Sequence, residues 1–499
     1  MERVIVVGGG SAGCAAAARL AESGRRVHVI EAGPTDRHPL VKAPMGLVWL
    51  MGSRRDWQRR TVPQGAAGGR TVGVPRGRCL GGSGSINSMV WFQGLPSDYD
   101  AWDVPGWSWR DVAEDAAEVA RRVGPVRHPS PHPLSKAFGR VFAANDPDAP
   151  PDPGRQSAAV CHHNMRGGRR RSAADVFLRR AIRSGRVTVE TGGEVDRVLL
   201  EAGRATGVRL RSGRELRGAA VVLCAGSIET PMILMRSGVG PGATLREAGI
   251  DVAVDAPGVG ANLHDHPAVC LHFAGSGSGY GLSLRQMPRW AAAPLRWLAT
   301  GSGPLGSPTV EACAFYAASG EGPPDIQTHF IPFMIGWRGR SIVWGEGYLA
   351  DAVLCRPRSR GRLSIGHDRF APLIDPGLLS DERDLDDLCA GVERLRAHLA
   401  AAPFGAMRAP EVHPGEGVTG AALREHVRVN VGTAYHPVGT CALHGPLDAS
   451  GAVRGVAGLH VADASVMPRI TTANTNAPSM MIGWRIAGMM VRAQERIAA

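Results

Sequence analysis

Residues 3–31 read RVIVVGGGSAGCAAAARLAESGRRVHVIE, and this stretch decides the fold. The β-branched run at its start is typical of a buried strand, and the alanine-rich stretch Ala12–Ser23 predicts a helix that Gly24 ends. Val27–Ile30 predicts a second strand, which stops at Glu31. A strand, a helix and a second strand in this order indicate a βαβ unit of a parallel sheet.

The turn after the first strand has the dinucleotide-binding pattern G-x-G-x-x-G. Its first glycine permits the tight turn, its second lets a pyrophosphate approach the backbone, and its third lets the helix pack on the strand. The helix N-terminus offers N–H groups to the phosphates, and an acid after the second strand binds ribose hydroxyls. A glycine-rich turn without a ligand is the alternative, and the flanking elements argue against it. The residues predicted to bind the nucleotide here are Gly8, Gly10, Ser11, Ala12, Gly13, Glu31 and Ala32.

A strand-like stretch near the C-terminus, Val461–Ser465, carries Asp463 and Ala464. In flavoproteins of this architecture such an aspartate lies beside the pyrophosphate or the ribitol, but it can also be a plain helix cap, and the residues alone leave both readings open. NAD enzymes rarely need a distant C-terminal segment, because their nucleotide site is local. The stretch therefore favours FAD, and a Rossmann NAD enzyme is the alternative.

The composition argues against several partners. The formal net charge is +12, but only Lys42 and Lys136 are lysines, and the arginines are scattered apart from Arg169–Arg171. Solvated arginines explain this charge better than a nucleic-acid surface, so no nucleic-acid partner is expected. The nine cysteines are odd in number and include no CxxC pair. They indicate reduced thiols in a cytoplasmic protein rather than disulfides or a zinc site.

No signal peptide and no run of about 20 apolar residues is apparent, so no integral membrane association is expected. Attachment to a membrane surface is left open. The segment Tyr280–Leu298 mixes tryptophan, leucine and arginine. It is expected to form a helical segment, broken at Pro288 and Pro294, that packs on neighbouring structure. A partner or membrane-surface contact is the alternative.

The chain of 499 residues is long enough for two domains. The expected fold is α/β with an α+β two-domain organisation. A Rossmann-like FAD-binding domain comprises 1–125, 170–266 and 428–499. A discontinuous substrate domain of 126–169 and 267–427 carries an antiparallel sheet with helices.

Two intervening regions have weaker patterns. Residues 105–170 are rich in Pro, Gly and His and are expected to be irregular. The strand-like segments Val187–Glu190, Val195–Leu200 and Thr206–Leu210 are expected to form a small antiparallel meander.

Four further stretches resemble the signatures of the glucose–methanol–choline (GMC) oxidoreductases, and with the two ends they cover nearly the whole chain. They are PRGRCLGGSGSINSMV at 75–90, GSIETPMILMRSGVG at 226–240, YHPVGTC at 435–441 and TANTNAP at 472–478. The resemblance implies bound FAD. The further cofactor-binding residues that it implies are Trp57, Arg78, Gly82, Ser83, Asn87, Met89, Val90, Val195, Ala225, Gly226, Asn474, Asn476 and Ala477. Val195 is expected along the adenine and Trp57 near the isoalloxazine, although Trp57 can equally be a core residue.

The resemblance also implies the catalytic pair. His436 is the histidine that faces the flavin in the family, and Asn474 stands where the family has His or Asn. An alcohol gives up a hydride readily only while its hydroxyl proton is being removed, and a histidine suits that general-base task. An asparagine can hydrogen-bond the developing alkoxide. His264 and His266 are expected to be structural, and no metal is expected.

Two departures from the family limit what the resemblance implies. Members that attach FAD covalently have a histidine where this chain has Ile86, so non-covalent FAD is expected. The chain is also short for the family between about 122 and 170, as are bacterial mycofactocin-associated members, and this leaves the donor open. The donor is expected to be an alcohol or a reduced redox carrier, with an unknown electron acceptor. A non-catalytic FAD-binding protein is the alternative of another class.

Overall fold

The computed structural model describes residues 3–142, 149–334, 337–338, 341–342 and 345–498. Its nucleotide half is built on a five-stranded sheet in which all neighbouring strands run parallel. From one edge to the other the strands are Val187–Thr191, Arg26–Glu31, Arg3–Val7, Ala220–Leu223 and Leu459–Val461. The last strand returns the C-terminal part of the chain to the sheet that the first strand begins.

The helix Ser11–Glu22 and the C-terminal helix Asn476–Ala498 pack against each other beside this sheet. Small residues permit the close approach. A Cβ on Gly13 would lie 1.9 Å from the carbonyl oxygen of Gly8, and a Cβ on Gly483 would lie 2.2 Å from that of Ala12. The predicted βαβ unit is thus confirmed, and the third glycine of the motif allows close helix–strand packing.

The segment Val187–Thr191 departs from the prediction. It pairs in parallel with Arg26–Glu31, so its assignment to the antiparallel meander is wrong. Gly192 and Gly193 end it, and their N–H groups bond to the carbonyl oxygens of Gly33 and Glu31. Its alternating pattern suits either sheet equally, so only the long-range pairing decides. The observed meander consists of Val195–Glu201, Arg204–Leu210 and Glu215–Arg217.

Residues 105–170 are also more regular than expected, because Trp109–Val123 forms a helix. The carboxylate of Asp111 accepts hydrogen bonds from the N–H and the hydroxyl of Ser108, which fixes the helix start. Val112, Ala116, Val119 and Val123 recur on one face and are buried. The sequence prediction missed this helical spacing of apolar residues, because the surrounding segment is rich in Pro, Gly and His.

The substrate half holds an antiparallel sheet. The main order of its strands is Glu411–His413, Pro267–Ala274, Gly345–Leu354, Ile326–Ile331, Ala312–Tyr316 and Ser157–Val160, and Gly281–Leu282 and Gly432–Thr433 pair at its sides. The helix Glu382–Ala400 packs on this sheet. Phe273 and Tyr348 stack on neighbouring strands, with ring centroids 4.7 Å apart. The expected antiparallel sheet with helices is confirmed, whereas the exact domain boundaries stay a prediction.

The described residues form further α-helices and one π-helical turn, besides several 3-10 turns. These further helices are Pro39–Lys42, Leu47–Leu50, Pro96–Asp100, Pro133–Phe138, the π-helical turn Ala174–Leu178, Arg179–Arg183, Gly226–Arg236, Gly242–Glu247, Met287–Thr300 and Gly420–Asn430. The remaining strands are Arg59–Arg60, Gly73–Val74, Val126–Arg127, His162–His163, Met165–Arg166, Arg169–Arg170, Val239–Gly240, Val254–Asp255, Trp337–Arg338, Ser341–Ile342, Arg362–Ile365 and Pro372–Asp375. Among the described helices, none combines the length and the apolar character that a bilayer crossing requires.

The helix Met287–Thr300 is continuous, so the expected break at its two prolines is wrong. Pro288 lies in the first turn, where the missing N–H has no intrahelical partner to lose. Pro294 lies inside the helix, while Ala293 and Trp297 on either side of it are buried. These inner-face contacts hold both halves of the helix against the protein.

We expect Gly13→Ala to destabilise the protein, because the new Cβ meets backbone that cannot move aside. Overpacking of this kind costs about 1–3 kcal/mol or more. Thermal unfolding followed by circular dichroism measures the effect as a lowered Tm. Gly417→Ala is the matched control, since its Cβ would meet nothing within 4 Å. Equal Tm values for the two variants would contradict the packing role of Gly13.

Candidate active site

A cavity of about 700 Å³ lies between the parallel sheet and the antiparallel sheet. It brings together most of the residues predicted from the sequence. Those that line it are Gly8, Gly10, Ser11, Ala12, Glu31, Ala32, Trp57, Gly82, Ser83, Asn87, Met89, Val90, Val195, Ala225, Gly226, His436, Asp463, Ala464, Asn474 and Asn476. Gly13, Arg78 and Ala477 do not line it and lie directly behind residues that do.

At one end of the cavity the N-terminus of the helix Ser11–Glu22 opens onto the space. Its N-cap, Gly10, provides no side-chain hydrogen bond to the first turn. The Ser11 hydroxyl donates to Oδ1 of Asn476 at 2.6 Å, so the start of the C-terminal helix lies at the same point. Uncapped N–H groups and the positive end of a helix dipole suit a pyrophosphate. This end of the cavity therefore fits the phosphates of a dinucleotide.

Glycines let a second loop run against this helix start. A Cβ on Gly82 would lie 2.7 Å from Cα of Gly10, and a Cβ on Gly84 would lie 2.8 Å from Oγ of Ser11. The two loops thus meet backbone to backbone. Larger residues at these positions would separate the segment that begins at Gly82 from the nucleotide loop.

Glu31 is buried beside the glycine turn. Its two carboxylate oxygens accept the N–H groups of Gly9 and Gly33, each at 2.9 Å. Burial is the main influence on this carboxyl and raises its pKa to about 7. Each oxygen can accept a second hydrogen bond, so the predicted contact with ribose hydroxyls stays compatible with the structure.

Asp463 follows the last strand of the parallel sheet and connects it to the helix Gly226–Arg236. Its Oδ2 accepts the N–H of Gly226 at 2.8 Å and the hydroxyl of Thr230 at 2.6 Å. Its Oδ1 accepts the N–H of Ser465 at 2.8 Å and caps the short 3-10 helix Ala464–Val466. Burial is the largest influence on the pKa of this carboxyl and raises it. Asp463 therefore caps a helix, as one of the two sequence-based readings has it, and it also lines the cavity; its contact with the pyrophosphate or ribitol stays a prediction.

Two guanidinium groups lie close to the ring of Trp57. The carbon centres of Arg59 and Arg78 are 4.9 and 4.8 Å from its ring centroid. Arg78 in turn pairs with Glu194 at 3.1 Å. Trp57 is half-buried and lines the cavity, while Arg78 acts behind it as a support.

The loop that carries Asn87 is braced by an arginine that the sequence prediction missed. Arg170 is buried and donates to Oδ1 of Asn87 at 2.7 Å, and also to the carbonyl oxygens of Val41 and Gly84. Burial lowers its pKa to about 9. The prediction of solvated arginines is wrong for this residue. Its only signal was its place in the cluster Arg169–Arg171.

At the other end of the cavity His436 meets Asn474. Nε2 of His436 lies 3.1 Å from Nδ2 of Asn474, and Oδ1 of Asn474 accepts a hydrogen bond from Gln327 at 3.1 Å. Because the amide nitrogen of Asn474 can only donate, Nε2 of His436 must be unprotonated. Nδ1 of His436 then carries the proton and donates to Nδ1 of His266 at 3.0 Å. The hydrogen-bond network therefore assigns the tautomer that a general base needs.

The surroundings keep His436 neutral. Burial is the largest cause that lowers the pKa of His436 well below its ordinary value of 6.5. The imidazoles of His266 and His329 and the guanidinium of Arg76 lower it further. Asp265 accepts the backbone N–H of His436 at 2.8 Å and fixes the loop. A buried neutral imidazole whose Nε2 carries no proton can accept one from a donor that replaces the Asn474 amide at that atom.

A second histidine in the cavity has the opposite charge preference. His329 lies 3.0 Å from Asp351 through Nδ1, and its Nε2 lies 3.5 Å from Oδ1 of Asn474. Burial is the largest single influence on the pKa of His329 and lowers it, but the Asp351 carboxylate, together with Cys313 and Asn474, raises it to about 9. The sequence prediction missed this pair, because only the alternation along two strands brings both side chains to the cavity.

The histidines after Asn262 divide into two roles. Nδ1 of His264 bonds to the carbonyl oxygen of Asn262 at 2.7 Å, and Nε2 accepts the N–H of Ile470 at 2.9 Å. His264 is thus structural, whereas His266 touches His436 directly. Within the described residues, no group of three or more His, Cys, Asp or Glu side chains is placed to hold a metal ion.

Comparison with known proteins gives a consistent result. The profile of GMC oxidoreductase matches residues 2–268 and 357–483 with its N-terminal and C-terminal parts. The oxygen-dependent choline dehydrogenase of Rhizobium johnstonii is 34% identical, over 97% of this chain and 94% of that protein. The alcohol dehydrogenase [acceptor] of Pseudomonas putida is 33% identical, over 98% of this chain and 95% of that protein.

Solved structures agree with the fold. Pyridoxine 4-oxidase from Mesorbium loti is 29% identical with a TM-score of 0.83, and 98% of each chain is covered. Formate oxidase from Aspergillus oryzae RIB40 has a TM-score of 0.87 at 24% identity, with 99% of each chain covered, and shares the fold. The similar structures confirm the expected fold class, and the match to the family confirms the oxidoreductase activity and FAD as the cofactor. The chain therefore belongs to the GMC oxidoreductase family.

Proposed function

We propose that the protein oxidises the CH–OH group of a neutral alcohol and that His436 accepts the hydroxyl proton. The observation that carries this proposal is the contact of 3.1 Å between Nε2 of His436 and the amide nitrogen of Asn474, which assigns the lone pair of the imidazole to Nε2. Bound FAD supplies the hydride acceptor. The protein itself supplies the base, His436, and the amide, Asn474.

We assign each part of FAD to residues that line the cavity. The helix starts at Ser11 and Asn476 suit the pyrophosphate, and Glu31 suits a ribose. Val195 suits the adenine, and the loop 82–90 suits the flavin ring. Ile86 has no nucleophilic atom, which supports non-covalent FAD. We also propose a cytoplasmic location, since all nine cysteines are free of disulfide bonds.

Two groups near His436 can stabilise the negative charge that forms as the proton leaves. The amide of Asn474 can donate to the substrate oxygen once it turns from His436. The imidazolium of His329 lies behind that amide, where low dielectric strengthens its effect. Asp351 keeps His329 protonated and is itself neutralised by it.

The cavity favours a neutral donor over a quaternary ammonium. Its substrate side carries apolar residues of three neighbouring strands, namely Ala268, Cys270, Ile331 and Leu349, with Phe333 beyond them. Each described carboxylate that lines the cavity is already engaged by an arginine, a histidine or backbone N–H groups; these are Glu31, Glu194, Glu229, Asp351 and Asp463. A quaternary ammonium would thus meet no free countercharge and would lie near the His329 imidazolium.

An anaerobic absorbance titration of the FAD-loaded protein tests the donor class. Neutral aliphatic and aromatic alcohols should bleach the flavin, and choline should bleach it far more slowly at equal concentration. Faster bleaching by choline would contradict the proposed donor. A flavin that no alcohol bleaches but a reduced carrier does would favour the carrier alternative, and one that no donor bleaches would favour a non-catalytic protein.

We expect His436→Ala to retain FAD, and we expect the rate of flavin reduction to fall by about 10²–10⁴-fold, because general-base catalysis contributes that much. Stopped-flow flavin reduction with the best alcohol measures the loss. His367→Ala, at an exposed histidine, is the control and should behave as wild type. Near-normal reduction by His436→Ala would refute the assigned base.

The pH profile of kcat/KM should report both histidines. His436 is active when neutral, so its low pKa keeps the rate up as pH falls to 6.5 and places the acid limb below that value. His329 acts when protonated, so the rate should fall as pH rises through about 9.

We expect His329→Gln to lower kcat by about tenfold or more and to remove the fall near pH 9. Glutamine keeps a hydrogen-bond donor but cannot carry the charge. An unchanged alkaline limb in this variant would assign that limb to another group.

A further inference from the structure

The helix Met287–Thr300 and the preceding turn Leu284–Gln286 lie on the surface of the substrate half. Their inner contacts are few and specific. Nε1 of Trp290 donates to the carbonyl oxygen of Gly281 at 2.9 Å, and Nε1 of Trp297 donates to that of Gly168 at 2.8 Å. Ala293 is buried between these two tryptophans. The three residues form the inner face, so the opposite face is turned to solvent.

That outer face is apolar. Leu284 is 90% exposed, Leu295 74% and Leu298 60%. Met287 and Ala291 are also exposed and follow the helical spacing of the leucines. Exposed single leucines are ordinary, but a contiguous stripe along one helix marks a contact surface.

Arginines flank the stripe. Arg285, Arg289 and Arg296 are exposed and make hydrogen bonds to Ser276, Gln286 and Ser302 respectively. Among the described residues, none of these three arginines forms an ion pair with a carboxylate. The sequence contains no Asp or Glu between Asp265 and Glu311. The helix surface therefore has an apolar stripe flanked by three arginines, and the nearby carboxylate of Glu346 is already engaged by Ser283 and the N–H of Gly277.

We propose that this outer face docks on an anionic lipid bilayer. An amphipathic helix in the plane of a membrane buries its apolar stripe at the acyl boundary and places arginines at the head groups. Here the stripe and the arginines occupy adjacent sides of one helix, and the inner tryptophans fix the helix to the protein. A second copy of the chain fits less well, because pairing this face with itself would juxtapose the unpaired arginines of both copies.

The inner face of the helix approaches the wall of the active-site cavity. The ring of Trp290 is 6.4 Å from that of Phe333, and Phe333 lines the cavity. Membrane binding would thus bring the substrate side of the cavity close to the lipid surface. The proposed docking does not depend on the identity of the donor.

Co-sedimentation of the FAD-loaded protein with vesicles tests the proposal. The probes are vesicles of phosphatidylglycerol and phosphatidylcholine, and vesicles of phosphatidylcholine alone. We expect binding to the anionic vesicles that weakens with salt and falls by about tenfold or more in the double variant Leu295→Glu/Leu298→Glu. The triple variant Arg285→Gln/Arg289→Gln/Arg296→Gln should lose the preference for anionic lipid.

Leu373→Glu is the matched control, because Leu373 is exposed in the strand Pro372–Asp375, away from the helix. It should bind vesicles as wild type does. Flavin reduction by a water-soluble alcohol should be unchanged in all three variants, which shows that they fold. Wild-type protein that stays unbound, or a double variant that binds equally, would overturn the proposal. A wild-type dimer that the double variant dissolves would assign the face to a second copy instead.

Discussion

The backbone contact at the glycine turn is the constraint on which the rest of the structure depends. Gly13 lets the first helix touch the carbonyl oxygen of Gly8, and Gly483 lets the last helix touch that of Ala12. The two ends of the chain are therefore held together at one point. Because the last helix begins at Asn476, this packing also fixes the short segment before it, which contains Asn474. The position of Asn474 is thus a consequence of how closely two helices approach.

At the end of the cavity that holds His436 and Asn474, two buried histidines differ in charge. Both lie in the same cavity and both are desolvated, which favours the neutral form of each. Only His329 has a carboxylate partner, Asp351, and so only His329 is held protonated. His436 instead faces a second imidazole, His266, which fixes its tautomer without stabilising a charge. One fold thereby holds a neutral and a protonated histidine within one hydrogen-bond network.

The sequence predicts the parts of this site that short motifs encode. The glycine turn, Asp463, His436 and Asn474 lie in local patterns with a physical reason for each residue type, and the structure brings them to one cavity. Contacts between distant segments leave weaker signals. Arg170 contacts the loop of Asn87 only because the fold buries its side chain there. The strand Val187–Thr191 could pair with either sheet. The same holds for His329 and Asp351, which meet only because neighbouring strands are in a particular register.

A crystal structure of the purified protein with its bound FAD tests the central claim most directly. We expect the adenine end beside Val195, the pyrophosphate at the helix starts of Ser11 and Asn476, and the flavin ring facing Nε2 of His436. No covalent bond should join the ring to the loop 82–90. A flavin ring at the Glu31 end of the cavity, away from His436 and Asn474, would contradict the assignment of these two residues to the chemistry.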